Sequence, residues 1–300
     1  MSTPIGGYVF ISHSHKDIEK VRQIRNEMEA AGFEPLCFFL KCLSDEDEIE
    51  DLIKREIDAR EWFVFIESPN SLSSSWVRKE REYISSRGGK QIVKVDLSKE
   101  TSMHGVAQRL IRMLRVYIAF SQEDSEFASV LRDRLVEKDY QVLPGPYQIS
   151  PDYSRDMFLN EKRDDVLKAG CMLAVISENS VKDYCFREEL YHAYQNNIPI
   201  IPVYLDGFSA EGLELTAGGG QIPLDIFQES ASSRSKPEDW ELSRIVIALE
   251  MTVNFDIRTA LAKAKSHNEI FQYEWRFHGD PEVTRLCQEA HDRLDADPDY

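Results

Sequence analysis

A chain of 300 residues is longer than one ordinary domain of roughly 100 to 150 residues, so two domains is the first expectation. A formal net charge of -17 and a pI near 4.9 argue against nucleic-acid backbone or anionic membrane as the main partner. An anionic small ligand would need a local basic patch. The five cysteines, at positions 37, 42, 171, 185 and 287, form no C-x-x-C pair and are read as reduced thiols of a cytoplasmic protein, with no metal site. The N-terminal apolar run Tyr8 to Ile11 is broken at once by Ser12-His13-Ser14-His15-Lys16-Asp17, unlike a signal peptide, and no later run approaches the roughly 18 apolar residues of a membrane span.

Tyr8 to Ile11 predicts a strand, and Asp17 caps or opens a helix whose apolar positions Ile18, Val21, Ile24 and Met28 step at helical spacing. Gly32 ends that helix, and Phe33 to Phe39 predicts a second strand. An acidic run, Ser44 to Glu48, leads into a helix carrying Ile49, Leu52, Ile53 and Ile57; acidic residues in a first turn suit the positive end of a helix. The β-branched and aromatic run Trp62 to Ile66 predicts a buried strand. After Pro69 and the serines, Ser75 is the expected N-cap of a helix starting at Trp76. A strand over Gln91 to Leu97 and a helix from about Met103 to Leu114 complete the unit. Strands alternating with helices at this spacing indicate parallel βαβ units.

The pattern then repeats. Val9-Phe10-Ile11, Ser14 and Asp17 return as Val116-Tyr117-Ile118, Ser121 and Asp124, a shift of 107 (116 − 9). Met172 to Ser177 repeats the Trp62 strand, and Tyr184-Cys185-Phe186-Arg187-Glu188 repeats Trp76-Val77-Arg78-Lys79-Glu80 at a shift of 108 (184 − 76). Ile198 to Leu205 repeats the Gln91 strand. A tandem duplication is the economical reading, with domains over 1–115 and 116–255. A glycine run at 218–220, a helix from about Pro237 through Leu249, and a tail of two helices near 257–270 and 281–294 follow.

Within the helix after Trp76, residues Trp76, Glu80, Tyr83 and Ile84 fall on one face, so a carboxylate sits in an aromatic stripe. Partial desolvation disfavours a charged carboxylate and often marks a site. The alternative is a rim glutamate whose head reaches water. Glu188 returns in the second copy with Tyr184 and Tyr191 as aromatic neighbours.

Phe10-Ile11-Ser12-His13, the Asp17 helix, the Gly32-Phe33 turn, and Ser68-Pro69-Asn70-Ser71 leading to Trp76-Val77-Arg78-Lys79-Glu80 together resemble the Toll/interleukin-receptor (TIR) domain, above all its bacterial branch. The resemblance covers about residues 5 to 115 well and 115 to 255 more weakly, and ends before the tail. It implies two tandem flavodoxin-like α/β domains, each a five-stranded parallel sheet flanked by helices, plus a helical C-terminal extension. In such sheets ligands bind beyond the carboxyl ends of the strands. Those ends carry Ser12 to Lys16, the Phe39 to Asp45 loop and Glu67 to Ser75.

Many members of the family break the nicotinamide–ribose bond of NAD+, so the resemblance implies NAD+ as substrate, no metal, and Glu80 as the catalytic carboxylate, with Glu188 as its second-copy equivalent. Ser12, His13, His15, Ser71 and Trp76 are the matching ligand-binding candidates. Trp76 reads equally as a stacking surface or a core anchor, and the His13-to-Lys16 segment as a pyrophosphate site or a solvated loop. The second copy has Tyr184 for the tryptophan and Ala119-Phe120 for Ser12-His13, which points to a weaker or degenerate site.

Two classes of function follow. One is a cytoplasmic NAD+ glycohydrolase or ADP-ribosyl cyclase which, by resemblance to bacterial members, acts in anti-phage defence or signalling with a trigger or effector protein. The other is a TIR module that self-associates, with two copies raising effective concentration, or that binds a nucleotide without turnover. A binder has no need of a carboxylate in an apolar stripe.

Overall fold

The computed structural model describes residues 6–37, 46–143, 155–205, 216–217, 220–221, 229–231, 237–253, 261, 264, 266–276 and 281–296. The strand-end loop expected over Phe39 to Asp45 lies outside them, as does most of the glycine run. The described residues within Thr3–Arg115 and Arg134–Gly145 form one compact unit, and those within Val116–Asp133 and Pro146–Tyr300 another.

The first sheet has the order β2-β1-β3-β4, built from β1 (Tyr8–Ser12), β2 (Glu34–Leu36), β3 (Trp62–Glu67) and β4 (Gln91–Asp96). All three pairings are parallel, with Phe10 opposite Phe63 and Ser12 opposite Phe65. Helices α1 (Ile18–Ala30), α2 (Glu46–Asp58), α3 (Pro69–Ser73), α4 (Ser75–Ser86) and α5 (Met103–Met113) connect and flank the strands. A parallel strand covered on both faces has no polar side, which is why Trp62 to Ile66 reads as an unbroken apolar run and is buried throughout. Four strands, where five were expected, make up this sheet among the described residues.

The second sheet has the order β11-β8-β7-β5-β6. Its strands are β5 (Arg115–Ala119), β6 (Gln141–Leu143), β7 (Cys171–Ile176), β8 (Ile200–Leu205) and β11 (Glu229–Ala231); β9 (Thr216–Ala217) and β10 (Gly220–Gln221) form a separate antiparallel pair. Its helices are α6 (Ser125–Glu137), α7 (Arg155–Lys168), α8 (Tyr184–Gln195) and α9 (Asp239–Val253). Two α/β layers of the expected class thus occur in tandem. The tail holds α10 (His267–Arg276) and α11 (Pro281–Asp295), which share a small core of Leu261, Ile270, Val283, Cys287 and Leu294.

Helix α1 buries Val21, Ile24 and Met28, as its periodicity predicts. It ends where Gly32 adopts φ +85°, with Phe33 N–H donating to the Met28 carbonyl at 3.0 Å and Gly32 N–H to that of Glu29 at 2.9 Å. This is the Schellman arrangement, which needs a left-handed residue just past the helix. In the second copy Asp139 takes that conformation, at φ 60°, with Tyr140 N–H on the Leu135 carbonyl.

The aspartate expected to cap α1 does something else. Asp17 makes no side-chain cap; its carboxylate accepts from Ser68 Oγ at 2.5 Å and from Asn70 Nδ2 at 2.8 Å, tying the start of α1 to the loop after β3. Asp124 repeats the link, accepting from Ser121 Oγ and Ser177 Oγ, both at 2.6 Å. Asp124 is fully buried, and removing it strands two buried hydroxyls. Asp124→Ala is therefore expected to destabilise the protein by about 1–3 kcal/mol, and more than Asp17→Ala, in thermal or urea unfolding. Equal effects would show that burial does not govern the link.

Candidate functional site

Helix α4 presents the glutamate. Its N-cap is Ser74, one residue before the expected Ser75, with Ser74 Oγ accepting from Val77 N–H at 3.4 Å. From that start Val77, Glu80 and Ile84 turn inward and are buried. Glu80 is 8% exposed, and Ser12 Oγ at the end of β1 donates to its Oε2 at 2.7 Å. Ser12 is itself buried, so the carboxylate is held against the carboxyl end of the sheet.

Burial pushes the Glu80 carboxyl up to about 7, against the opposing effects of the Ser12 hydrogen bond and the Arg81 charge. The group thus sits near half-ionisation at neutral pH. Around it, Phe10, Ile53, Phe63, Phe65 and Ile84 form an apolar cluster on which Trp76 and Tyr83 pack. A cleft of about 250 Å³ opens between α2 and α4, with Ile53, Trp76, Glu80 and Tyr83 among its walls. Lys54 and Lys79 stand at the same cleft, both bonded to Glu50, at 2.8 and 3.3 Å. Lys79 also lies 5.1 Å from the centre of the Trp76 ring. The arrangement offers one buried anion, two aromatic walls and two cations within an acidic protein.

The structure brings Ser12, Trp76 and Glu80 together. Trp76 packs on the core and also lines the cleft. His13 is half-buried, its Nδ1 3.1 Å from the Ile11 carbonyl, and burial lowers its pKa. His15 is exposed in the short helical turn before α1 and does not line the cleft. Ser71 is buried in a capping box, accepting from Ser68 N–H at 2.9 Å while Ser68 Oγ accepts from Ser71 N–H at 3.0 Å. Its hydroxyl shapes the loop and is absent from the cleft wall. That loop is a helical turn, α3, where Pro69 and the serines suggest only the end of a strand.

The second-copy assignment needs correction. Glu188 is partly exposed and paired with Arg163 at 2.8 Å; the buried carboxylate of α8 is Glu189. Matching Tyr184 to Trp76 put the two helices one residue out of step. Helix phase follows the cap, and Asp183 caps α8 as Ser74 caps α4, a shift of 109 (183 − 74). At that shift Val77, Glu80 and Ile84 match Phe186, Glu189 and Ala193, all buried. Cys185, not Tyr184, then takes the place of Trp76, and His192 that of Tyr83. The pairs Ser68–Ser177 and Ser71–Ser180 carry the same spacing and would have revealed it.

Among the described residues no cluster of His, Cys, Asp and Glu could hold a metal ion, and no helix is long and apolar enough to cross a membrane.

The family model described as TIR domain matches residues 9–112 and again 116–239. A protein of Cytobacillus dafuensis named "Putative cyclic ADP-D-ribose synthase TIR2" is 33% identical over 98 residues, which cover 31% of this chain and 26% of that protein. The chain thus matches about a quarter of that relative's length. Crystal structures of two variants of a protein called SsGBP overlap 82% and 80% of this chain and 98% and 97% of theirs, at 14% and 13% identity. Their TM-scores of 0.28 and 0.25 carry no argument.

A carboxyl whose folded-state pKa is raised favours folding when protonated, so the charged form penalises the fold as pH rises from about 4.5 to about 7. Glu80→Gln is expected to stabilise the protein at pH 8, by on the order of 3 kcal/mol, and to change little at pH 4. Melting curves at the two pH values check this; a loss of stability at pH 8 would mean that the carboxylate is a structural anchor.

Proposed function

Because the chain belongs to the TIR-domain family, we propose that its first copy cleaves the nicotinamide–ribose bond of NAD+, with Glu80 as the catalytic residue. The observation that carries this is the near-complete burial of Glu80 beside Ser12 at the head of an aromatic-walled cleft. The matched protein from Cytobacillus dafuensis, named for cyclic ADP-D-ribose synthesis, supports NAD+ as the substrate class.

Departure of nicotinamide leaves positive charge on the ribose, and a preorganised anion in a water-poor site stabilises that charge as it develops. Glu80 is that anion. Ser12 holds one of its oxygens, which leaves the other to face the ribose. Trp76 and Tyr83 supply flat apolar surface for the pyridine ring and keep water from the reacting bond. At about 250 Å³ the cleft is smaller than the roughly 300–1,000 Å³ of drug-sized ligand sites, so it takes the reacting end of the dinucleotide. The product is ADP-ribose if water reaches the ribose cation, and a cyclised isomer if an adenine nitrogen does. Such an enzyme acts in the cytoplasm, where NAD+ is present, in bacterial defence or signalling, with pairing of TIR domains as its control.

The test is chromatography with mass detection after incubating the protein with NAD+ at low and high protein concentration. Nicotinamide release is expected, falling by about 100-fold or more in Glu80→Gln. It should rise with pH through about 7 as Glu80 ionises, and level off above. The mass of the second product separates the linear from the cyclised form. No release at any concentration from folded protein would leave self-association as the function.

A further inference from the structure

The corrected alignment exposes a second buried carboxylate with a different fate. Glu189 is 2% exposed. Tyr117 on β5 donates its hydroxyl to Glu189 Oε2 at 2.9 Å, and the Lys162 ammonium on α7 donates to Oε1. The Lys162 side chain is itself 12% exposed, so this is an ion pair inside the second unit. Burial raises the Glu189 pKa, and Lys162 and then Tyr117 oppose that shift.

Each partner replaces a named feature of the first site. Strands β1 and β5 match at a shift of 107, so Ala119 stands for Ser12 and removes the serine hydroxyl; Tyr117, two residues back on the same strand face, stands for Phe10 and supplies another. Strands β3 and β7 match at 109 (171 − 62), and carrying that shift back to the preceding helix puts Lys162 where the first copy has Ile53, a wall of the cleft. Cys185 and His192 replace the two aromatic walls. Three of these positions, those of Ile53, Trp76 and Tyr83, line the first cleft, Ser12 holds its carboxylate and Phe10 lies in the apolar cluster with Ile53.

We infer that the second copy is a permanently closed version of the first site, in which the Lys162 ammonium occupies the place of a cationic ligand group against Glu189. The chain therefore carries one working site, and the Lys162–Glu189–Tyr117 cluster serves the fold of the second unit. The same geometry says what the first site takes beside Glu80. It is a group carrying positive charge, with Ile53 leaving the room that Lys162 fills in the second copy. This last point rests on the NAD+ reading; the closure itself does not.

Closure is tested on the full chain by a double-variant cycle. Lys162→Met leaves a buried carboxylate unpaired and Glu189→Gln leaves a buried ammonium unpaired, so each alone is expected to lower the melting temperature by about 5 °C or more. The two together should restore most of the loss, because no buried charge is left without its partner. Additive losses would overturn the inference. In parallel, calorimetry with a non-cleavable carbocyclic NAD+ analogue is expected to give one equivalent bound per chain, with nicotinamide release unchanged in Glu189→Gln. Two equivalents, or release lost in Glu189→Gln with the melting temperature intact, would show an open second site. No binding at all would sink the NAD+ reading and leave closure to the melting cycle.

Discussion

Burying a carboxylate without a cation costs a protein several kcal/mol, or forces the group to take up a proton. Each repeat sinks one glutamate between its first strand and the helix after its third, and the partner found there sets what that repeat can do. Glu80 has a serine hydroxyl, the opposing charge of Arg81 and an open cleft. Glu189 has a lysine and a tyrosine hydroxyl. Among the described residues the first carboxylate has no ion-pair partner; the second is paired from within the chain.

The remaining architecture serves that placement. Parallel strands buried on both faces set the ends of β1 and β3 side by side, with Ser12 opposite Phe65. Asp17 and Asp124 hold the following loops in register through serine hydroxyls, the paired Ser68–Ser71 and Ser177–Ser180 hydrogen bonds shape the turns that follow, and Ser74 and Asp183 cap α4 and α8 where they begin. A helix that starts one residue later turns by about 100°, enough to carry a buried glutamate out to solvent. The cleft itself sets three glutamates, Glu50, Glu80 and Glu82, against two lysines. Lys54 and Lys79 stand at the cleft, and Glu50 orders both.

Much of this was legible in the sequence. The apolar runs of β3 and β7 and the helical stepping of Val21, Ile24 and Met28 gave the layers, and the recurring Ser14/Asp17 and Ser121/Asp124 pairs gave the duplication. Glu80 stood out because its aromatic neighbours share its helix face. What stayed hidden depended on contacts between distant residues. Asp17 reaches Ser68 across 51 positions, so its carboxylate could not be told from a helix cap. Lys162 lies on a helix whose polar residues give no clear inward face, and its pairing with Glu189 follows only from the packing of α7 on α8. The Glu188 assignment failed because an aromatic residue is a weaker phase marker than the cap that starts the helix.

The central claim is that Glu80, partly protonated and with no ion-pair partner among the described residues, takes the positive charge of a ligand. The direct measurement is the titration of the Glu80 carboxyl by carbon-13 NMR, with and without the non-cleavable NAD+ analogue. The account predicts a midpoint near 7 in the free protein and a shift down towards the ordinary carboxylate range when the analogue's pyridinium binds. A midpoint unmoved by saturating analogue, or one that rises, would contradict it.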